Sequence, residues 1–270
     1  MDLLQMRLEK CMAQVTDTQA PLILKLLAHD LRWQLLTSLA HSDYRVTELV
    51  EQVHQPLNLV SYHLRQLRQA GLVHERRSAA DERSFYYRVD LEQMHLLYRE
   101  ASSGLHPALG SDTAPAQRSQ WTFAGPPPRL LFLCTGNSAR SQMAEVLVRH
   151  LSRGQVQAWS AGSHPAAQIN PLALRSLAKL GIDSSQQVPK HLNTFVGQSY
   201  DRVVTLCDLI RERCPSWPDS SPVLHWSFPD PSASAGTEEE RQQVFDDLML
   251  QLTARIRWLL TLLERERKEA

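Results

Sequence analysis

Two different hydrophobic periods divide this chain. Over residues 46–73, VTELVEQVHQPLNLVSYHLRQLRQAGLV, apolar positions recur every three or four residues. Val46, Leu49, Val50 and Val53 share one helical face. After a break at His54, Gln55 and Pro56, a second face carries Leu57, Val60, Leu64 and Leu67. Gly71 is placed to stop that second helix, because glycine accepts the left-handed backbone of a helix end. Two short amphipathic helices joined by a tight turn predict a helix-turn-helix. HERRSAADERSFYYRVD then alternates at both ends around a polar middle, which predicts a β-hairpin. Beyond residue 129 the period changes. Short β-rich runs (Leu130 to Leu133, Tyr200 to Leu206, Pro222 to Phe228) alternate with helical segments, the pattern of a parallel sheet. A last helix is predicted over Thr237 to Arg267. Its apolar positions Phe245, Leu248, Leu252, Ile256, Leu259 and Leu263 follow helical spacing, with Glu238 to Glu240 at the positive end of its dipole. Core packing is the role expected of it.

The fold class that follows is two domains. A mainly-α winged helix-turn-helix is expected over 1–101. An α/β domain with a four-stranded parallel sheet and an oxyanion-binding loop is expected over 129–270. Between them, 102–128 is rich in Ser, Pro, Gly and Ala and includes Pro126 to Pro128. It reads as a stiff, extended linker, partly packed through Trp121 and Phe123.

Composition narrows the function. The chain has 270 residues with 43% hydrophobic and 21% charged positions, enough for packed cores and unlike a disordered chain. Lys+Arg and Asp+Glu are 29 each, which excludes a uniformly basic nucleic-acid coat but allows a local basic patch. No long apolar run or signal-peptide core is present, so a cytoplasmic protein with no membrane partner is expected. Four cysteines are too few for a disulfide scaffold and point to buried or reactive thiols.

The basic patch lies where the hairpin follows the second helix. From Arg65 to Arg88 six arginines face three acids, Glu75, Asp81 and Glu82. Asn58, Ser61, Tyr62, Arg65, Gln66 and Arg68 lie off the apolar stripe and suit base edges and phosphates of a major groove. Arg76, Arg77 and Arg83 lie on or near the hairpin tip, as in a wing that reaches the backbone. The competing reading is an ordinary helical pair with solvated arginines. LAHDLRWQLLTSL, SYHLRQLRQAGLV and SFYYRVD resemble the ArsR/SmtB-type winged-helix repressors over roughly residues 20–100. That resemblance implies a homodimer, built on the flanking helices, that binds an inverted-repeat operator DNA. The first helix of the motif, within YRVTELVEQV, lacks the cysteine pair of arsenic-sensing members, and the only thiol before residue 134 is Cys11. His95 and His106 resemble a metal-sensing spacing, but Gln93 and Leu109 stand where further ligands belong. No metal site is therefore expected, and the effector stays unassigned.

The second half carries thiol chemistry. In RLLFLCTGNSARSQMAE an apolar strand ends at Cys134, and Arg140 and Ser141 complete C-x5-R-S at the start of a helical pattern. A loop so placed turns backbone N–H groups and the positive end of a helix toward a tetrahedral oxyanion. Thr135, Gly136, Asn137, Ser138, Ala139, Arg140 and Ser141 form the expected cradle, which also favours the thiolate of a cysteine at its base. Arg140 offers a planar fork to two anion oxygens. Asn137 is expected to brace the loop, and Ser141 to donate to the Cys134 sulfur. A buried strand-end cysteine is the bland alternative. Asp230, after the last β run, is the candidate acid for a leaving oxygen; Asp219, or a purely turn-forming Asp-Pro, is the alternative. Cys207 ends a buried strand and Cys214 follows seven residues later. Spacing alone leaves two readings open: a disulfide relay with Cys134, or two incidental buried thiols beside a phosphatase nucleophile.

CTGNSARSQMAE, WSAGSHP, VVTLCDLIRERCP, HWSFPDP and GTEEERQQVFDDL resemble the arsenate reductases of the low-molecular-weight tyrosine phosphatase fold, over residues 129–266. The resemblance implies that Cys134 attacks arsenate, that Arg140 and the loop amides hold the oxyanion, and that Asp230 protonates the departing hydroxide. It further implies that Cys207 and then Cys214 take over the disulfide, which thioredoxin reduces, with no cofactor in the protein itself. Ala139 stands where some members carry another cysteine. Ser232 stands where phosphatase relatives carry an aromatic residue. Lys190 stands where a further acid would help hold a potassium ion, so that ion is not expected. Two other functions stay in view: a phosphatase fused to a DNA-binding domain, and a non-catalytic regulator that senses arsenic or oxidants.

Overall fold

The computed structural model describes residues 20–106, 120–213, 217 and 221–269. Cys11, Leu109, Cys214 and Asp219 lie outside the described residues. The amino-terminal half contains α1 (Leu22–Leu27), α2 (Asp30–His41), β1 (Tyr44–Arg45), α3 (Val46–Val53), α4 (Leu57–Gln69), β2 (Val73–Arg77), β3 (Phe85–Val89) and α5 (Leu91–Leu105). The helix-turn-helix is α3 and α4. His54 ends α3 in the left-handed region (φ 51°), and Gly71 does the same after α4 (φ 71°). Leu49, Val60, Leu64 and Leu67 are fully buried, against Leu35, Leu36 and Leu39 of α2. Leu57 departs from the expected stripe. It opens α4 before the helix meets its neighbours and is 52% exposed.

The hairpin pairs Val73 with Val89 and Arg77 with Phe85. Its tip is closed by Asp81, which accepts from the Arg83 amide and the Ser84 hydroxyl. A two-residue strand, unannounced by any alternation, joins it: β1 pairs with β3, giving the order β1-β3-β2. Helix α5 runs through Leu105, past the expected start of the linker. Trp121 at the linker's far end is buried and donates to Thr261, while Glu264 accepts from the Thr122 amide.

The second half contains β4 (Arg129–Cys134), α6 (Arg140–Leu151), β5 (Gln157–Gly162), α7 (Pro171–Lys179), β6 (Arg202–Thr205), α8 (Asp208–Arg213), β7 (Val223–His225) and α9 (Glu238–Glu269). The sheet is parallel throughout, in the order β5-β4-β6-β7. Leu130, Leu131, Phe132 and Leu133 are all buried, because helices and loops cover both faces of a parallel sheet. Parallel strands end along one edge, so Cys134, Gly162, Cys207 and the loop to Asp230 converge there.

The halves are docked against each other. Strand β7 is an edge of the second sheet, and Ser42 and Asp43 of the first half bond along it. The Asp43 amide donates to the His225 carbonyl (2.7 Å), the His225 amide to Ser42 Oγ (2.8 Å) and the Ser227 amide to Asp43 Oδ2 (2.7 Å). An otherwise open strand edge is thereby covered. Helix α9 does more than pack the core, since its Arg255 pairs with the buried Asp43 at 2.8 Å.

Candidate functional site

The cradle forms because strand β4 must give way to helix α6 within five residues. Asn137 makes the turn in the left-handed region (φ 43°). Amides outside the loop hold its carbonyls: His164 donates to Thr135, Ala166 to Gly136 and Asn170 to Ser138, each at 2.9 Å. Loop N–H groups are thus left for the sulfur side. That of Asn137 donates to Cys134 Sγ at 3.2 Å, and Ser141 Oγ lies 2.9 Å from the same sulfur. Arg140 opens α6 with its guanidinium buried; Nη1 donates to the Phe228 carbonyl (3.1 Å) and Nη2 lies 3.5 Å from Asp230. The loop after β7 therefore brings a half-exposed carboxylate to the same mouth as the arginine.

A second layer holds Asn137. Its side-chain amide donates to Ser141 Oγ and to Ser160 Oγ, both at 2.8 Å, and its Oδ1 accepts from Gln142 (3.0 Å) and from the Lys190 amide (2.7 Å). Ser160 donates on to Glu145, a buried carboxylate paired with Arg149 (2.7 Å) and Lys190 (3.2 Å). Lys190 thus puts its ammonium beside Glu145. Among the described residues no group of three or more His, Cys, Asp or Glu side chains is arranged to hold a metal ion. Sequence reasoning passed over Gly162. A Cβ there would lie 2.5 Å from the Thr135 carbonyl and 2.9 Å from the Asn137 amide, so the loop can pass only over a glycine. WSAGSHP contains that residue, but nothing in the sequence says what passes over it.

Cys207 stands beside the cradle. Leu206 bonds to Leu133 across the strand ends (2.7 Å), which places the next residue against the loop after β4. Thr135 Oγ1 lies 3.3 Å from Cys207 Sγ. Burial pushes the Cys207 thiol above its ordinary range, against the opposing pull of Arg140 and the Thr135 hydroxyl. Both Cys134 and Cys207 are free and buried. Cys214 is outside the described residues, so two of the three expected thiols are brought together here.

On the first half, α4 presents Asn58, Tyr62, Arg65 and Arg68 to solvent, with Ser61 and Gln66 half-buried beside them. Gln66 is also held internally, accepting from Arg32 (3.0 Å) and donating to Tyr62 Oη (2.8 Å), and Arg68 pairs with Glu75 at 2.5 Å. Arg77 and Arg83 are exposed at the hairpin. Arg76 departs from the DNA-facing expectation. Alternation along β2 turns it away from Arg77 and onto the second half, where it is bonded to Asp208 and Ser227.

Comparison with known proteins agrees with both halves. Residues 129–269 match the model of the low molecular weight phosphotyrosine protein phosphatases, and residues 29–75 that of the bacterial regulatory proteins of the arsR family. An arsenate reductase of Shouchella clausii is 39% identical over 128 residues, 47% of this chain and 91% of that protein. One from Bacillus subtilis is 39% identical over 116 residues, 43% of this chain and 83% of that protein. Among solved structures, a thioredoxin-dependent arsenate reductase of Corynebacterium glutamicum has 25% identity and a TM-score of 0.38, covering 82% of this chain and 96% of that one. This chain belongs to the low molecular weight phosphotyrosine protein phosphatase family, with a helix-turn-helix domain of the arsR family ahead of the phosphatase-type fold. No helix among the described residues is long and apolar enough to cross a membrane.

Proposed function

We propose that the protein is a bifunctional cytoplasmic repressor and arsenate reductase. The observation that carries the enzymatic reading is Cys207 at the rim of the Cys134 cradle, with the Thr135 hydroxyl 3.3 Å from its sulfur. A phosphatase needs one thiol; a second at this place supports disulfide chemistry. Arsenate sits on the loop amides from Thr135 to Ser141 and on the Arg140 fork. The Cys134 sulfur forms a bond to arsenic, and hydroxide leaves with a proton from Asp230. Cys207 then attacks the Cys134 sulfur. The sulfur–arsenic bond breaks with its electron pair on arsenic, so arsenic is reduced to arsenite as the Cys134–Cys207 disulfide forms. Cys214 attacks Cys207, Cys134 is released as a thiol, and thioredoxin reduces the Cys207–Cys214 disulfide. This chemistry requires no cofactor in the chain.

For the other half, the exposed face of α4 and the arginines Arg77 and Arg83 support binding to operator DNA. Leu22, Leu96, Tyr98 and Leu105 leave large apolar surface exposed on α1 and α5, which supports a homodimer through these flanking helices.

The test is arsenate-dependent NADPH oxidation coupled through thioredoxin and its reductase. Wild type is expected to turn over, and Cys134→Ser, Cys207→Ala and Cys214→Ala to be inactive. Hydrolysis of an aryl phosphate is expected to be lost in Cys134→Ser and retained in the other two. Wild-type inertness toward arsenate with brisk aryl phosphate hydrolysis would make the protein a phosphatase. Release of DNA on arsenite without turnover would make it a sensor.

A further inference from the structure

The residue after Cys207 is a carboxylate with four polar partners. Asp208 opens α8 with its side chain fully buried. Oδ1 accepts from the Ser227 hydroxyl (2.7 Å) and faces His225 Nε2 (3.2 Å). Oδ2 takes its partners from the other half of the protein: the Arg76 guanidinium of β2 and the Ala79 amide at the hairpin tip (2.7 Å). Burial alone would raise this carboxyl, yet the bonds from His225, Ala79, Ser227 and Arg76 hold it well below the usual carboxylate range. The same helix is tied twice more to the first half. Glu212 faces the Ser78 hydroxyl (3.3 Å), and Arg211 pairs with Glu48 of α3 (3.1 Å).

A buried carboxylate is strongly disfavoured unless its bonds are satisfied, so it stays where its donors are. The donors of Oδ2 belong to the wing. Cys207 is one bond along the chain from this anchor, and the Arg211 amide bonds back to the Cys207 carbonyl at 3.2 Å. We propose that the winged-helix half supplies positioning groups to the thiol site: Arg76 and the Ala79 amide hold Asp208, and through it the first turn of α8, so that Cys207 is set against Thr135 and the Cys134 cradle. The wing serves the enzyme with the arginine that the sequence pattern assigns to DNA. The catalytic role of Cys207 in this account rests on the function proposed above; the anchoring does not.

The experiment uses the full chain and two readouts. One is steady-state arsenate reduction with thioredoxin, alongside hydrolysis of p-nitrophenyl phosphate, which needs the cradle but not Cys207. The other is the rate at which iodoacetamide labels Cys207, followed by peptide mass spectrometry. Arg76→Ala and Asp208→Asn are expected to lower kcat for arsenate about tenfold with KM unchanged, to leave aryl phosphate hydrolysis within about twofold, and to speed labelling of Cys207 about tenfold. Arg76→Lys is expected to recover part of each loss. Ala79→Pro removes the amide donor while leaving the Arg76 side chain in place and is expected to act in the same direction, while Glu82→Ala at the exposed tip changes nothing. Wild-type labelling and turnover in both Arg76→Ala and Ala79→Pro would overturn the proposal. So would an equal loss of aryl phosphate hydrolysis, which marks general unfolding. If wild type proves inert toward arsenate, the enzymatic reading falls, and the labelling rates alone still decide the anchoring.

Discussion

The Ser141 hydroxyl and the Cys134 sulfur lie 2.9 Å apart, and the Asn137 side-chain amide donates to that hydroxyl at 2.8 Å. With its oxygen already accepting from Asn137, the hydroxyl has its own proton free for the sulfur. A hydrogen bond to a charged group contributes about 1.5–3 kcal/mol, which corresponds to roughly one to two decades of rate. Ser141→Ala is expected to slow the first step at Cys134 by about 10- to 100-fold, read as the rate of p-nitrophenyl phosphate hydrolysis in single turnover.

Gly162 is expected to tolerate no side chain. In Gly162→Ala the new Cβ meets backbone, not a flexible side-chain end, so the loop between Thr135 and Asn137 must shift. Overpacking of this kind costs about 1–3 kcal/mol. A lowered urea midpoint together with weaker phosphate binding by calorimetry is the expected result.

Asp43 and Arg255 tie the halves together across their seam, with the carboxylate 1% exposed. Removing one partner of a buried pair costs about 3–5 kcal/mol, because the other charge is left stranded. Arg255→Ala is expected to lower the thermal midpoint and to split a single calorimetric transition into two. An unchanged single transition would mean that the seam does not couple the halves.

Alkaline conditions are expected to destabilise the protein through Cys207. Its folded-state thiol titrates above the ordinary range, chiefly because it is buried. Below the unfolded value of about 8.5 both states hold the proton and the contribution is complete. Above that, the unfolded chain loses its proton first, and stability falls by up to about 1.4 kcal/mol per pH unit until the folded thiol also ionises. Urea midpoints of wild type are expected to fall more steeply than those of Cys207→Ala between pH 8 and 10.

Much of this was legible in the chain, and the reasons differ by region. The two helices of the motif were readable because a partly buried helix writes its buried face into the sequence at helical spacing. The cradle was readable because one strand, one short loop and one helix, consecutive in sequence, contain nearly all of it. Leu57 was misread because spacing places a residue on a face without saying how far the covering neighbour extends. Strand β1 was missed because two residues carry no period. Ser42, Asp43, Asp208 and Ser227 read as ordinary polar positions in loops and at a helix start, and nothing local separates them from solvated ones.

Local order along the chain determined the helix-turn-helix, the basic hairpin and a cysteine cupped by amides, since each depends on neighbours within about twenty residues. Which way Arg76 faces, what covers the edge of β7 and which donors hold Asp208 were decided only when the halves met. Those contacts join residues more than 120 positions apart, and they are short-range electrostatic and steric matches that no sequence period encodes.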